Sequence, residues 1–223
     1  MFDDRSLAER GFTVAKGLLQ PAQCEVLAKL WPDKARFRSH VIMQRHGYGR
    51  GEYQYFSYPL PEPVEKLRQA LYPDLAAVAN RWNDQLGVAR HFPPTLQGWL
   101  RQCHSGGQKR PTPLLLRYGP GDYNCLHRDL YGELVFPLQV TVLLSRPSND
   151  FEGGEFMLVE QRPRMQSRGE VVPLAQGDAV IFAVNERPVK GARGYHRTAM
   201  RHGVSSLRRG ERFTLGIIFH DAA

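Results

Sequence analysis

Cysteine is scarce. Cys24, Cys103 and Cys125 are the only three in 223 residues, too few and too widely spaced for a disulfide framework. The absence of any CxxC pair also excludes a zinc ribbon, and all three are expected to be buried reduced thiols. Long hydrophobic runs are missing too. The strongest, Leu138 to Leu144, is strand-sized, far short of the ~20 residues a membrane helix needs. The opening residues Met1-Phe2-Asp3-Asp4-Arg5 place acids where a secretory leader carries bases. The expected location is therefore cytoplasmic, with no membrane partner. Internal repeats, low-complexity tracts and Gly/Ser linkers do not occur, which excludes solenoids and loosely tethered modules.

What is present describes an ordinary globular chain: 42% hydrophobic, 23% charged and 10% aromatic residues, enough for one continuous core. Thirty Lys and Arg against 22 Asp and Glu give a net charge of +8. The excess is concentrated between Glu160 and Arg212, where 11 basic residues face 5 acidic ones, many of them in the loop 185–201. A cationic rim of this kind attracts polyanions such as nucleic acid; a plain solvated loop is the alternative.

Pattern changes divide the chain at about residue 111. Apolar spacing from Gly11 to Gly87 is largely helical, with a helix over Leu18 to Trp31 that places Pro21 in its first turn. A second helix or helix pair runs from Pro63 to Leu86, broken near Pro73. Between them, Phe37 to Tyr58 mixes aromatics with Arg38, Arg45 and Arg50; it reads as strands and loops, part packing face and part substrate contact. Arg101 to Pro113, with Gly106-Gly107 and two prolines, reads as a mobile connection. Short β-type runs follow: Leu114 to Tyr118, Tyr123 to His127, Leu138 to Leu144, Glu155 to Glu160, Asp178 to Val184 and Phe213 to Phe219. No helical pattern separates them, so the fold class is α+β. A helical and aromatic support region, 1–111, is expected to back a cupin-like jelly-roll core, 112–223, in one compact unit.

The chemistry-bearing residues lie in the β-rich half. His127 and Asp129, two apart on an extended strand end, point the same way. A third ligand must come from His196 or His202. His202 is favoured, because a turn and then Arg212 follow it at the head of a strand, and nothing comparable follows His196. Two histidines and one carboxylate on one face of a metal leave adjacent positions open, as non-haem Fe(II) oxygenases require. Arg212 can reach back to hold a distal carboxylate, and Thr214, on the same side of the strand, can add a hydroxyl.

In these stretches the chain resembles the 2-oxoglutarate- and Fe(II)-dependent dioxygenase superfamily. That superfamily carries HxD, a distant His and a later Arg on a double-stranded β-helix, and the likeness covers roughly residues 112–221. Phe151-Glu152-Gly153-Gly154-Glu155-Phe156 is similar to an element of its prolyl-4-hydroxylase-like branch. The resemblance implies that His127, Asp129 and His202 ligate Fe(II), and that Arg212 with Thr214 binds the far carboxylate of 2-oxoglutarate. It also implies that Tyr118, with Tyr123 as a second candidate, contacts the same cosubstrate. O₂ would be consumed, ascorbate would serve as an accessory reductant, and a substrate C–H bond would be hydroxylated with release of succinate and CO₂. The whole chain, including Phe37-Arg38-Ser39 and Gly49 to Tyr53, also resembles a prokaryotic oxygenase family proposed to act on damaged, methylated DNA. The superfamily's alkylation-repair branch is disfavoured, since it places Asn and Arg two and six residues beyond the cosubstrate Arg, where this chain has Thr214 and Ile218. Besides oxidative demethylation of nucleic acid, the motifs are compatible with a hydroxylase of a protein side chain or small molecule, and with a non-catalytic sensor of metal and 2-oxoglutarate.

Overall fold

Asp3 accepts the Arg5 amide at 3.0 Å and so opens α1 (Asp4–Arg10), which Gly11 closes in the left-handed region at φ 78°. After β1 (Phe12–Ala15), Pro21 begins α2 (Pro21–Ala28), while the Gln23 side chain accepts the Gln20 amide. The computed structural model describes residues 2–130 and 132–223.

Two helical expectations need correction. α3 (Glu62–Gln85) runs unbroken through Pro73. The proline is exposed while Leu71, Tyr72, Leu75 and Ala76 are buried, so the carbonyl that its missing amide leaves unpaired faces water rather than the core. The expected mobile connection at 101–113 instead begins inside α4 (Leu96–Ser105). Thr95 accepts the Gly98 amide at 3.2 Å, and Leu96, Trp99 and Cys103 form a buried stripe.

The aromatic and arginine-rich segment folds into β2 (Phe37–Ile42), β3 (Gly49–Arg50) and β4 (Glu52–Phe56). The rest of the β structure comprises β5 (Leu114–Tyr118), β6 (Tyr123–His127), β7 (Leu138–Leu143), β8 (Phe151–Gly153), β9 (Phe156–Gln161) and β10 (Arg168–Val172). It continues with β11 (Ala179–Ala183), β12 (Glu186–Gly191), β13 (Gly194–Val204), β14 (Leu207–Gly210) and β15 (Arg212–Ile218). One sheet is ordered β1-β11-β7-β15-β5-β4-β2 and a smaller one β10-β9-β13-β6-β3, with β12 paired to β13, while β8 and β14 pair with each other in a third, two-stranded sheet. The larger sheet therefore takes β5, β7, β11 and β15, and the smaller takes β6, β9 and β13. Such alternation of antiparallel strands is the double-stranded β-helix. Strands from the N-terminal half complete both sheets, and every residue of β7 and β11 is buried, because further structure covers the larger sheet's outer face.

The basic loop expected at 185–201 is the β12–β13 hairpin. One of its arginines serves the fold: buried Arg187 donates to the Ala8 and Glu9 carbonyls at the end of α1, both at 3.0 Å, and pairs with Glu160. Burial alone would raise the Glu160 carboxyl, but its bonds to Arg187 and Arg162 hold it below the usual range. A folded-state pKa below the unfolded value of about 4.3 makes this contribution complete above that value, and it is lost as pH falls through the folded pKa. Arg187→Met is thus expected to cost about 2 kcal/mol at neutral pH and to flatten the acid limb of the stability–pH profile, both readable by denaturant titration.

Cys24 and Cys103 are buried, and burial pushes both thiols up to about 11. Cys125, expected to be buried, is instead exposed, since it sits on β6 beside the mouth of the cavity described below. Among the described residues, no helix is long and apolar enough to cross a membrane.

Candidate active site

β6 and β13 lie side by side in the smaller sheet with His127 directly opposite His202. The pairing brings the two imidazole centroids to 4.2 Å. Asp129, just beyond the end of β6, turns its carboxylate between them: Oδ1 lies 3.2 Å from His127 Nε2 and Oδ2 lies 3.4 Å from His202 Nε2. The Cys125 carbonyl lies 2.8 Å from His127 Nδ1. A carbonyl can only accept, so Nδ1 carries a proton and the neutral ring would offer its Nε2 lone pair to the site. His202 is packed against Phe182 and Phe156.

Burial pulls the His202 imidazole below its ordinary value. It works the same way on His127, but the neighbouring Asp129 carboxylate outweighs it and raises that ring. Asp129 is itself buried, which by itself would raise its carboxyl, yet hydrogen bonds from both imidazoles hold it well below the usual range.

The three side chains fit a metal ion. Their ligand atoms all fall within 4.8 Å of one another. The separations of 3.2 and 3.4 Å approach the ~3 Å expected between neighbouring ligands that each sit ~2.1 Å from one ion. A nitrogen–nitrogen–oxygen set on one face suits iron better than a closed tetrahedral zinc site. His196, the second candidate, is exposed on the β12–β13 hairpin opposite Val189 and outside this cluster.

These ligands line a cavity of about 560 Å³ between the sheets. Arg212, on β15, reaches it from the opposite sheet, paired across the strands with Tyr118 of β5. Its guanidinium carbon is 5.6 Å from the Tyr118 ring centre and 5.8 Å from that of Phe151. The side chain is fully buried, Nε and Nη1 have no hydrogen-bond partner among the described residues, and burial pushes its pKa down to about 10. A buried cation short of acceptors is costly unless an anion joins it, so the residues at this point fit an anionic group. Thr214 lines the same wall, and Tyr118 is buried beside it, its phenol pushed up to about 12 by burial. Tyr123 is different: it is 36% exposed and outside the cavity lining.

Sequence reasoning missed three contributors, the first two on one strand. Gln139 and Thr141 of β7 are buried polar residues in the cavity wall, and Gln139 Oε1 lacks a partner among the described residues. The available signal was two polar residues at period two inside the most apolar run of the chain. Gly154 is the third. At φ 62°, it allows the Arg212 side chain to pass: a Cβ there would lie 3.0 Å from Arg212 Cδ and 2.6 Å from Leu207 Cδ1.

A family model described as an oxygenase catalysing oxidative methylation of damaged DNA matches residues 51–222. The uncharacterized proteins Rv2227 and MT2286 of Mycobacterium tuberculosis are each 52% identical over 168 residues, 75% of this chain and 72% of theirs. Among solved structures, a Pseudomonas putida prolyl-4-hydroxylase aligns over 99% of this chain and 97% of its own, with 17% identity and TM-score 0.54. A 2OG-Fe(II) oxygenase family oxidoreductase from Burkholderia pseudomallei gives the same identity and TM-score over 99% and 90%. A Trichoplax adhaerens prolyl hydroxylase, solved with a hypoxia inducible factor peptide, gives 14% and 0.57 over 96% and 84%. At those identities the likeness is one of fold, and it is the double-stranded β-helix described above. With most of its length inside the matching model, the chain belongs to the Oxygenase-NA family of oxygenases.

Proposed function

We propose that this oxygenase uses Fe(II) and 2-oxoglutarate to hydroxylate a methyl group or other C–H bond on a nucleobase; where the hydroxylated group is a methyl on nitrogen, its carbon leaves as formaldehyde and the base is demethylated. The observation that carries the cofactor assignment is the pairing, in one cavity, of a three-ligand cluster with a buried guanidinium, two of whose nitrogens find no partner among the described residues. His127, Asp129 and His202 would hold the metal. Arg212 and Thr214 would receive the far carboxylate of the cosubstrate. When bound, Fe(II), 2-oxoglutarate and O₂ supply the oxidising power: one oxygen atom enters succinate as CO₂ leaves, and the other becomes the substrate hydroxyl.

The protein's own part is positioning and exclusion of water. Cross-strand register fixes both imidazoles, the Cys125 carbonyl holds the His127 tautomer, and Arg212 draws the cosubstrate's negative end toward the opposite sheet. Apolar Leu114, Leu116 and Phe156 line the space between. The nucleic-acid reading is supported by the family description and by exposed Lys190, Arg193, Arg197 and Arg201 on the β12–β13 hairpin. In the element that resembles prolyl hydroxylases, Gly154 is accounted for by the passage of Arg212 and Gly153 by its approach to the Ser206 carbonyl, so neither glycine calls for a peptide substrate.

Anaerobic titration with Fe(II) and 2-oxoglutarate is expected to give a visible charge-transfer band, and its absence would overturn the cofactor assignment. Succinate formation stimulated by methylated oligonucleotides rather than by peptides tests the substrate; stimulation by peptides alone would move it to the hydroxylase class. Gly154→Ala is expected to weaken 2-oxoglutarate binding roughly 10- to 150-fold by displacing Arg212, since a hydrogen bond to a charged group is worth roughly 1.5–3 kcal/mol. Calorimetric titration of the cosubstrate checks this.

A further inference from the structure

We infer that the turn between β2 and β3 is a base-stacking platform, on which Tyr48, backed by His46, holds an unpaired nucleobase at the mouth of the cavity. This rests on the nucleic-acid reading above and gives it a place and a strand state. The backbone of the turn is anchored at both ends. Met43 is buried in a small cluster with Tyr118, Phe151 and Leu207. The Tyr48 carbonyl accepts the Cys125 amide at 2.9 Å, and Gly49 pairs with Asn124, so the platform is hydrogen-bonded to the strand that carries His127. Glycine is required for that approach: at φ 128°, a Cβ on Gly49 would lie 2.4 Å from the Tyr123 carbonyl oxygen.

On this fixed backbone the Tyr48 side chain lines the cavity yet is 51% exposed. Its ring lies nearly parallel to that of His46, with centroids 5.3 Å apart and planes at 19°. Leu126 and Leu130, also on the cavity wall, are 41% and 51% exposed, so the mouth presents apolar surface to water. Exposed apolar surface around a cavity marks a place where something docks.

Charge decides what docks. Arg128, on the cavity wall, is exposed, as are Arg45 and Arg50, which flank Tyr48 in the chain. Arg128 donates to the neutral amide of Asn185, and Arg50 has its carboxylate partner, Asp122, only at 3.9 Å. Flat aromatic surface interleaved with cations of this kind fits a heteroaromatic ring tethered to phosphates. A base inside a duplex cannot reach a cavity between two sheets, so the ligand is single-stranded or has its base extruded.

The test uses the full chain and a short single-stranded oligonucleotide carrying one 2-aminopurine, whose fluorescence is quenched on stacking. Wild type is expected to bind with quenching. Tyr48→Ala is expected to lose the quench and weaken binding about 5- to 150-fold, while Tyr48→Trp, which keeps a stacking face, retains both. Arg128→Gln should instead reduce the salt slope of binding by about one. Circular dichroism melts establish that each variant is folded. Binding by wild type that Tyr48→Ala leaves unchanged would overturn the platform and leave the nucleic-acid reading standing. No binding by wild type would overturn both. Tyr48-dependent binding of a peptide, with none of the oligonucleotide, would also overturn both.

Discussion

Asp129→Ala is expected to abolish 2-oxoglutarate turnover, with a loss well beyond the roughly 10–100-fold that removing a partner of a ligand costs. Asp129 is the only anion in the cluster, and both Nε2 atoms face its carboxylate at 3.2 and 3.4 Å. Without it, two imidazoles remain to bind the cation and nothing in the cluster offsets its charge. Asp129→Glu keeps the charge but lengthens the arm by one methylene; since a misplacement of about 1 Å can cost ~10²-fold, it should retain metal and lose most turnover. Equilibrium dialysis against Fe(II), paired with succinate release, separates the two variants. Unchanged metal affinity in Asp129→Ala would remove this carboxylate from the site, and full turnover in Asp129→Glu would show that the position tolerates more slack than the register of β6 and β13 implies.

That cluster was readable because each part of it belongs to a local pattern. β5 and β6 are bounded by Pro113 and by Gly119-Pro120-Gly121, and the structure reproduces their expected limits. An HxD at the end of such a strand leaves little freedom in where its side chains point. Features that depend on where water lies were not readable. Pro73 is tolerated because its side of α3 is exposed, which no sequence rule states. The β12–β13 hairpin was hidden because its inward positions include Arg187 and Thr198, polar residues buried through distant partners or within the sheet, so the usual apolar alternation is absent. In α4, Gly98 and the polar residues after Leu100 obscured a helical stripe that the burial of Leu96, Trp99 and Cys103 makes evident. The passage of Arg212 past Gly154 brings together residues from separate strands and turns, and composition carries no trace of it.

The same limit hid the ion pair with the largest expected effect on stability. Arg68 of α3 and Asp221, near the C-terminus, are both fully buried, with Arg68 Nη2 at 2.9 Å from Asp221 Oδ1. Arg68 also donates through Nε to the Ile218 carbonyl at 2.9 Å and through Nη1 to the Tyr58 hydroxyl at 3.1 Å; that hydroxyl donates in turn to Asp221 Oδ2. The helix thereby holds the end of β15, the strand that presents Arg212 and Thr214 to the cavity. Removing Asp221 leaves the guanidinium without an anion among the described residues, and removing Arg68 leaves the buried carboxylate with the Tyr58 hydroxyl and the His104 imidazole, the latter at 2.8 Å from Oδ2; breaking a buried pair in this way costs about 3–5 kcal/mol. For a chain of this size, that corresponds to a fall in Tm of roughly 6–20 °C. Arg68→Ala and Asp221→Ala should each show it. The double variant Arg68→Met/Asp221→Leu, which removes both charges and fills part of the volume, should lose less than the sum of the single effects. Calorimetric melts of the three decide the matter: additive losses would mean that the two side chains act independently, and α3 would then hold β15 through its apolar contacts alone.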